Sequence, residues 1–218
     1  MKRAYLNWSG GKDSALALYA ALRSGEYRVE ALFSAVQAGR GEVAMHGTSV
    51  SLLARQAEAA GLPLIPFYFD PEWPEARYRA EMGEAVGRLR EAGIDTALFG
   101  DLYLEPLRRS REERCARAGI RAEFPLWGTP PERAMEELLR LGFRTVVTCV
   151  DCAVLPERLL ERVIDGAFAA EIPPGADLCG ERGEYHSFVF DGPVFRRPVP
   201  YEAGETHGSG RYRYLELR

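Results

Sequence analysis

Short apolar segments alternate with helical segments over the first 124 residues of this 218-residue chain. In chain order, the spacing of apolar residues predicts a strand at 3–8, a helix at 14–23, a strand at 30–36, a helix at 49–60, a strand at 64–69, a helix at 75–92, a strand at 96–99 and a helix at 105–118. A glycine closely follows each of these helices, as is typical of helix ends. Because strands that alternate with helices are joined by right-handed crossovers into a parallel sheet, we predict an open α/β domain.

The pattern changes after residue 124. Helices are predicted at 132–141 and 156–169, and strands at 143–150, 185–190 and 211–217. From Pro173 onward glycines are frequent and helical periodicity is absent. We therefore divide the chain into an α/β domain at residues 1–128 and a smaller α+β domain at residues 129–218.

Composition restricts the class of protein and its partners. The content of 46% hydrophobic and 28% charged residues is typical of a folded globular protein. No segment approaches the ~18 consecutive apolar residues of a membrane helix, and a net charge of -4 argues against broad binding to nucleic acid. Four cysteines are too few for a disulfide framework, so we expect reduced thiols and a cytoplasmic protein without a membrane partner.

The loop at residues 9–14, with the sequence SGGKDS, joins the first predicted strand to the first predicted helix. Two adjacent glycines let several backbone N–H groups face one point, and the start of the helix adds its own N–H groups and positive dipole end. Hydroxyl and ammonium groups complete an anion cradle at an edge where open α/β sheets bind ligands. A plain glycine turn with a capping side chain is the alternative. The candidate nucleotide-binding residues of the loop are Ser9, Gly10, Gly11, Lys12, Asp13 and Ser14.

SGGKDS is the signature loop of the PP-loop ATP pyrophosphatases, the N-type superfamily, and the chain resembles that superfamily. The resemblance implies a Rossmann-like parallel-sheet domain that binds ATP, followed by a smaller α+β domain for the substrate. It also implies that ATP is cleaved between its α- and β-phosphates with the help of Mg²⁺. AMP is joined to a carboxyl or carbonyl oxygen, and a nucleophile then displaces it.

Four further motifs resemble one branch of the superfamily, the diphthine–ammonia ligase family. They are MHGT at 45–48, FGD at 99–101 with the helix that follows, PLWG at 125–128 and CGERGEYHSFVFDGP at 179–193. The form of MHGT and the Cys-Val-Asp at 149–151 resemble the bacterial members. The resemblance implies an ATP-dependent ligase that adenylates a carboxylate, free or carried on a protein, and amidates it with ammonia or an amine. The oligomeric state stays open, with a homodimer as one possibility.

Four charged residues are the candidates for catalysis. Lys12 and the loop N–H groups suit the charge that builds on a leaving pyrophosphate. Asp13 is the candidate ligand for Mg²⁺, and a helix-cap role is its alternative. Glu181 and Glu184 lie three residues apart around a glycine, where carboxylates can bind a cation or deprotonate ammonia. Solvated glutamates in a hairpin loop are the alternative.

The other candidate nucleotide contacts lie in or after predicted strands. Ser34 belongs to the second strand, His46 follows it, and Gly100 and Asp101 follow the fourth. Polar groups at such strand ends face the ligand in open α/β sheets. A purely structural role for His46 and an N-cap role for Asp101 are the alternatives.

Two features support rival interpretations. Cys149 and Cys152 form a C-x-x-C pair, which some tRNA thiolases of this superfamily use and which can bind metal or act in redox chemistry. A buried structural role is the favoured alternative. The arginines on the helix at 105–118 suit an anionic substrate or the triphosphate tail, although a solvated face is the commoner outcome. An adenine-nucleotide binding module without turnover is the third hypothesis.

Overall fold

The computed structural model describes residues 1–39, 41–43 and 48–218. The first half of the chain contains β1 (Lys2–Asn7), α1 (Lys12–Ser24), β2 (Tyr27–Gln37), β3 (Glu42–Val43), α2 (Val50–Ala60), β4 (Leu64–Phe69), α3 (Glu75–Glu91), β5 (Thr96–Leu98), α4 (Glu105–Arg117) and β6 (Arg121–Glu123). The second half contains α5 (Pro131–Arg140), β7 (Arg144–Asp151), α6 (Gly166–Glu171), β8 (Tyr185–Asp191), β9 (Ala203–Ser209) and β10 (Tyr212–Leu217).

The first sheet is built around β1. Its strands β4, β2, β1, β5 and β6 are parallel, with β1 paired to β2 on one side and to β5 on the other, and β3 runs antiparallel to the end of β2. The chain therefore winds outward in both directions from β1, and the loop after β1 lies at the reversal point where such sheets bind ligands. This arrangement confirms the predicted α/β class.

Alternation along β1 explains why both faces of this sheet are covered. Ala4 and Leu6 are fully buried in one apolar cluster together with the α1 side chain Leu18, whereas Tyr5 belongs to a second cluster with Phe33. Successive side chains of a strand point to opposite faces, so one short apolar strand supplies both layers. The central position of β1 follows from this two-sided burial.

The second sheet has the order β8-β7-β10-β9 and is entirely antiparallel. It shares its core with the first sheet, because Val147 of β7 and Val189 of β8 belong to the same buried cluster as Leu6 and Leu18. The predicted boundary after residue 128 falls between β6 and α5. The division into two domains stays a prediction, since one core joins the two sheets.

Two local predictions were wrong. The segment predicted as a helix at 156–169 has a 3₁₀ turn at Glu157–Leu159 and a short helix only from Gly166. Between them the backbone pairs with β7, because Val147 N–H donates to Arg162 O at 2.9 Å and Ile164 N–H donates to Thr145 O at 2.8 Å. Tertiary pairing overrides helix propensity there. Strand β9 was missed because its glycine-rich sequence has weak strand propensity, and pairing with β10 stabilises it instead.

The short strands β3 and β6 were not predicted either, and the remaining helices and strands lie within a few residues of their predicted bounds. Helix α3 was predicted to end at residue 92 and ends at Glu91, and strand β4 has its predicted bounds, Leu64–Phe69. None of the helices in the described ranges combines the length and apolar character needed to cross a membrane.

Candidate active site

A cavity of about 290 Å³ lies over the loop at residues 9–14, and we call it the loop cavity. Its walls come from that loop, from the carboxyl end of β2, from Gly100 and Asp101 after β5, and from the second sheet. The second sheet supplies Gly180, Glu181 and the start of β8. The two halves of the chain therefore build this cavity together.

Both glycines of the loop lie so close to neighbouring residues that a side chain would not fit there. Gly10 has a φ of 82°, and a Cβ there would lie 2.7 Å from Leu53 and 2.8 Å from Gln56. A Cβ on Gly11 would lie 3.0 Å from the carbonyl oxygen of Ser187. Any larger residue at either position would push the loop away from α2 or β8.

Gln56 of α2 fixes the loop from one side. Its Nε2 donates to the carbonyls of Gly10, at 3.0 Å, and Val189, at 2.7 Å, and its Oε1 accepts from Trp8 Nε1 at 2.8 Å. The Val189 N–H also donates to Gly10 O at 2.9 Å. These buried bonds join the loop to α2 and β8, and the sequence reasoning missed Gln56 because its partners are far away along the chain.

Lys12 is buried and tied to the second sheet. Its Nζ donates to Asp13 Oδ2 at 2.8 Å and to Cys179 O, and it lies 4.9 Å from the centre of the Tyr185 ring. Its backbone N–H donates to Ser187 Oγ at 3.3 Å. Burial opposes the charge, but Asp13, Tyr185 and Cys179 raise the pKa of Lys12 above its ordinary value. A permanently charged ammonium therefore lies at the base of the loop cavity.

Asp13 lies in the first turn of α1, and its side chain is 32% exposed. Burial raises the pKa of its carboxyl, and the charge of Lys12 partly offsets that effect. The N-cap of α1 is Gly11, without any capping bond from a side chain, so Asp13 does not cap the helix. Ser9 and Ser14 are joined to each other, with 3.3 Å between their Oγ atoms, and Ser14 Oγ donates to Gly11 O at 2.8 Å. Of the six residues of the loop at 9–14, all except Gly10 line the loop cavity.

Gly100 and Asp101 lie against the start of α1. A Cβ on Gly100 would lie 2.8 Å from Asp13 O and 3.1 Å from Ser14 N. Asp101 is buried and forms an ion pair with Arg111 of α4, with 2.7 Å between its Oδ2 and the arginine Nε. The N-cap of α4 is Leu104, so Asp101 does not cap that helix.

Gly100→Ala should lower the free energy of unfolding by about 1–3 kcal/mol, because the added Cβ meets backbone that cannot turn aside. The matched control is Gly87→Ala in α3, where a Cβ meets nothing within 4 Å. That change should instead stabilise the protein by about 0.5–1 kcal/mol. Urea unfolding of both variants checks the prediction, and equal stabilities would contradict it.

The two candidate glutamates lie in different places. Glu181 lines the loop cavity, and its Oε2 accepts a bond from Leu102 N–H at 3.2 Å. Burial is the main cause that raises the pKa of Glu181 to about 7, and the charge of Asp13 raises it further. Glu184 is buried behind the cavity, where its two oxygens accept from the N–H groups of Asp177, at 2.9 Å, and Arg182, at 3.0 Å. The structure brings Glu181 to the cavity and makes Glu184 an anchor of its own loop.

Ser34 does not line the loop cavity. Ser34 is buried in β2, and its Oγ donates to Trp8 O at 2.6 Å. Its neighbours Phe33 and Ala35 line the cavity instead. His46 lies outside the described residues. Nucleotide contacts by these two residues stay predictions.

Three residues at the start of β8 line the cavity although none was predicted to do so. They are Tyr185, His186 and Ser187. Burial and the charge of Lys12 lower the pKa of His186 to about 4, so it is neutral near pH 7. The signal was present in the motif at 179–193, but strand alternation alone does not tell which end of a strand meets a ligand.

Cys149 of the C-x-x-C pair has the properties of a structural cysteine. Cys149 is fully buried, and burial raises the pKa of its thiol to about 12, whereas Cys152 is exposed. Within the described ranges, no group of three or more His, Cys, Asp or Glu side chains could hold a metal ion. A thiol that ionises so reluctantly is a poor nucleophile and a poor ligand.

Cys152→Ala should leave turnover unchanged and shift stability by no more than about 0.5 kcal/mol, as is usual for exposed positions. Cys149→Ala should cost about 1 kcal/mol of stability, because the side chain is buried, and should also keep activity. Turnover and metal content of the double variant check both expectations. A loss of activity with an intact fold would restore the thiolase hypothesis.

A second cavity, of about 510 Å³, lies between α3 and α4, and we call it the helix cavity. Aromatic rings of Tyr5, Phe33 and Phe99 line it, and the arginines of α4 contribute charge. It adjoins the loop cavity, because four residues line both. The shared residues are Asn7, Phe33, Ala35 and Arg111.

Two family models match the chain. The model described as diphthamide synthase N-terminal domain matches residues 1–122, and the one described as diphthamide synthase C-terminal domain matches residues 130–216. Together they include every residue that lines the loop cavity.

The chain is also similar to proteins named diphthine–ammonia ligase. It is 25% identical to the one from Bos taurus over 186 residues, which cover 74% of this chain and 69% of the bovine protein. Identity to the Danio rerio protein is 26% over 165 residues, covering 69% of this chain and 65% of that protein. The match to the Schizosaccharomyces pombe protein is 23% identical and covers 96% of this chain but 38% of the yeast protein.

One solved structure is similar at a lower level. It is the U34-tRNA thiolase NcsA from Methanococcus maripaludis with its [4Fe-4S] cluster. The TM-score is 0.41 at 14% identity, with 65% of this chain and 57% of that chain covered. A likeness of this degree carries no functional argument.

Proposed function

The chain belongs to the diphthamide synthase family, and from that premise we propose that it is an ATP-dependent amide ligase. It adenylates a carboxylate with release of pyrophosphate and then transfers the acyl group to ammonia or an amine. The observation that carries the proposal is the SGGKDS loop at the start of α1, which shares one cavity with Asp101 and Glu181. The relatives are named for diphthine, so diphthine is the first carboxylate to test.

In the first step, a carboxylate oxygen attacks the α-phosphorus of ATP. The new O–P bond forms as the bond from the α-phosphorus to the oxygen bridging to the β-phosphate breaks, and pyrophosphate leaves with that electron pair. In this proposal, the positive dipole end of α1 and the buried ammonium of Lys12 stabilise the charge that grows on pyrophosphate. Donors that are already in place before the charge develops supply much of the rate enhancement in many enzymes.

In the second step, nitrogen attacks the carbonyl carbon of the acyl adenylate. The C–N bond forms, the C–O bond to AMP breaks, and the nitrogen loses a proton. Glu181 is the residue that we propose accepts that proton, because it lines the loop cavity and its pKa lies near 7. A base with a pKa near the working pH combines sufficient ionised fraction with sufficient basicity.

We propose that the adenosine part of ATP binds in the helix cavity. The loop cavity alone, at about 290 Å³, lies at the lower limit of small-molecule sites, which hold roughly 300–1,000 Å³. The adjoining helix cavity is lined by aromatic rings, such as Tyr5 and Phe99, that suit a flat base. With the phosphates at the loop and the base between α3 and α4, ATP would occupy both cavities.

Carboxylates of the loop cavity fit Mg²⁺. Asp13 and Asp101 both line it, and carboxylate oxygens are the donors that Mg²⁺ prefers. Such an ion takes only one or two protein carboxylates together with substrate phosphates, in keeping with the lack of a larger ligand cluster in the described ranges. Asp13 is the residue that we propose as its ligand, and the ion would neutralise charge on the phosphates.

Product analysis tests the proposed function. The protein is incubated with ATP, Mg²⁺, ammonium and candidate carboxylates, and we expect AMP, pyrophosphate and the amide in equal amounts. Release of ADP and phosphate would overturn the proposal. Tight binding of AMP or ATP without turnover on any carboxylate would favour a nucleotide-binding module instead.

A further inference from the structure

Arg111 occupies the junction of the two cavities. It is the only charged residue among the described ones that lines both the loop cavity and the helix cavity. The other three shared residues, Asn7, Phe33 and Ala35, are uncharged. An anion that passes from one cavity into the other therefore meets the Arg111 guanidinium.

The guanidinium of Arg111 is held in place from two sides. Its Nε lies 2.7 Å from Asp101 Oδ2, its Nη2 donates to Asp101 Oδ1 at 3.0 Å, and its centre lies 4.5 Å from the centre of the Phe99 ring. Within the described part of the chain, Nη1 has no hydrogen-bond partner. The two N–H donors of Nη1 thus stay available on a planar group whose orientation is already set by Asp101 and Phe99.

The neighbouring arginines of α4 are placed differently. Arg108 pairs with Glu112, with 2.7 Å between its Nε and the carboxylate, and lies over the ring of Trp127. Arg109 is exposed and lines neither cavity. The prediction of a solvated arginine face suits Arg109 but not Arg111, because only the tertiary structure places Asp101 beside Arg111.

We propose that Arg111 is a catalytic residue whose Nη1 donates to the non-bridging oxygens of the α-phosphate during adenylation. The inference rests on the proposed function, which puts the other phosphates of ATP at the loop and its base in the helix cavity. The α-phosphate then lies between them, at the junction that Arg111 occupies. Arg111 neutralises its charge as the carboxylate oxygen approaches, and holds the same phosphate in the acyl adenylate.

Binding of AMP and adenosine separates this inference from the proposed function, since neither ligand needs turnover. Calorimetry on wild-type protein should show AMP binding more tightly than adenosine. Arg111→Ala should weaken AMP binding by about 10- to 100-fold, the range for a lost charge-assisted bond, and weaken adenosine binding far less. Arg109→Ala, on the same helix, should match wild type for both ligands.

Turnover with sulfur-substituted ATP tests the contact during the reaction. In each of the two α-phosphorothioate diastereomers of ATP, sulfur replaces a different one of the two non-bridging oxygens of the α-phosphate. Wild type should prefer one of them in pyrophosphate release, and Arg111→Lys should lose most of that preference. With ordinary ATP, the rate of pyrophosphate release by the Arg111→Lys variant should fall by about 100-fold, as for other lost transition-state donors.

Three results would overturn the role of Arg111. They are an Arg111→Ala variant that binds AMP like wild type, an Arg111→Lys variant that keeps the diastereomer preference, and equal losses for AMP and adenosine together with a lower melting temperature. The last result would mean that Arg111 only supports Asp101. If wild type releases no pyrophosphate but Arg111→Ala loses AMP selectively, the proposed ligase activity fails while the phosphate contact stands.

Discussion

Lys12→Arg should reduce pyrophosphate release by about 100- to 1,000-fold although it keeps the positive charge. The ammonium is enclosed by Asp13, the carbonyl of Cys179 and the ring of Tyr185. A guanidinium is wider and planar, so it cannot occupy the same space without moving the loop or β8. Both movements would displace the N–H groups that we propose bind the pyrophosphate.

The chain offers a matched control, because its only other lysine is Lys2. Lys2 lies at the opposite end of β1, partly exposed, with its Nζ 2.7 Å from a carboxylate oxygen of Glu123. Lys2→Arg should keep wild-type turnover in the same assay. Lys12→Met, which keeps the length of the stem without the charge, should be inactive. An active Lys12→Arg variant would show that the enclosure of Lys12 does not matter for the reaction.

Glu181→Gln should slow amide formation by about 100- to 10,000-fold, the range for loss of a general base. The isosteric amide can still accept the bond from Leu102 N–H, so the loop at 177–184 should keep its shape. Adenylation does not need the base, and pyrophosphate release in a single turnover should fall much less. Hydroxylamine, a stronger nucleophile, should capture the acyl adenylate of the variant and restore product.

The pH dependence follows from the raised pKa of Glu181. Only the ionised carboxylate accepts a proton, so at constant free ammonia the wild-type rate should rise with pH up to about 7 and then level off. Glu181→Gln should lack that rise. A variant that keeps both the rate and the inflection would rule out Glu181 as the base.

Glu184→Gln is the contrasting variant three residues away. Both oxygens of Glu184 accept backbone N–H groups, and an amide nitrogen cannot replace one of them. We expect a loss of about 1–3 kcal/mol in stability, with the pH inflection near 7 retained. Calorimetric unfolding and the pH profile distinguish this anchoring role from the catalytic role first predicted for Glu184.

Local chemistry made much of the fold predictable. The short apolar run at residues 3–8 predicts a strand, and the glycines of the loop predict a tight turn before α1. Both depend on residues close together in the chain, so sequence spacing describes them well. The segment at 160–164 was mispredicted as helical because its backbone bonds go to β7, which its own sequence does not encode.

Part of the candidate site was likewise predictable from the sequence, and part of it was not. The identity of the loop residues, and the resemblance that they support, came from a contiguous stretch of six residues. The enclosure of Lys12 did not, because its partners Cys179 and Ser187 are 167 and 175 residues away. Gln56 was given no role from the sequence, and Arg111 was not distinguished from the other arginines of its helix, until packing placed Gly10 and Asp101 beside them.

By itself, the sequence determined the α/β class and the family, and it predicted the anion-binding loop. The fold class and the loop follow from torsional preferences, helix dipoles and short-range spacing, which act over a few residues, whereas the family follows from the resemblance of the motifs. Only the tertiary structure decided that Glu181 faces the cavity while Glu184 anchors a loop, and that Arg111 joins two cavities. Burial and distance set the charge state and the reach of those side chains, and both depend on how β8 and α4 pack around the loop.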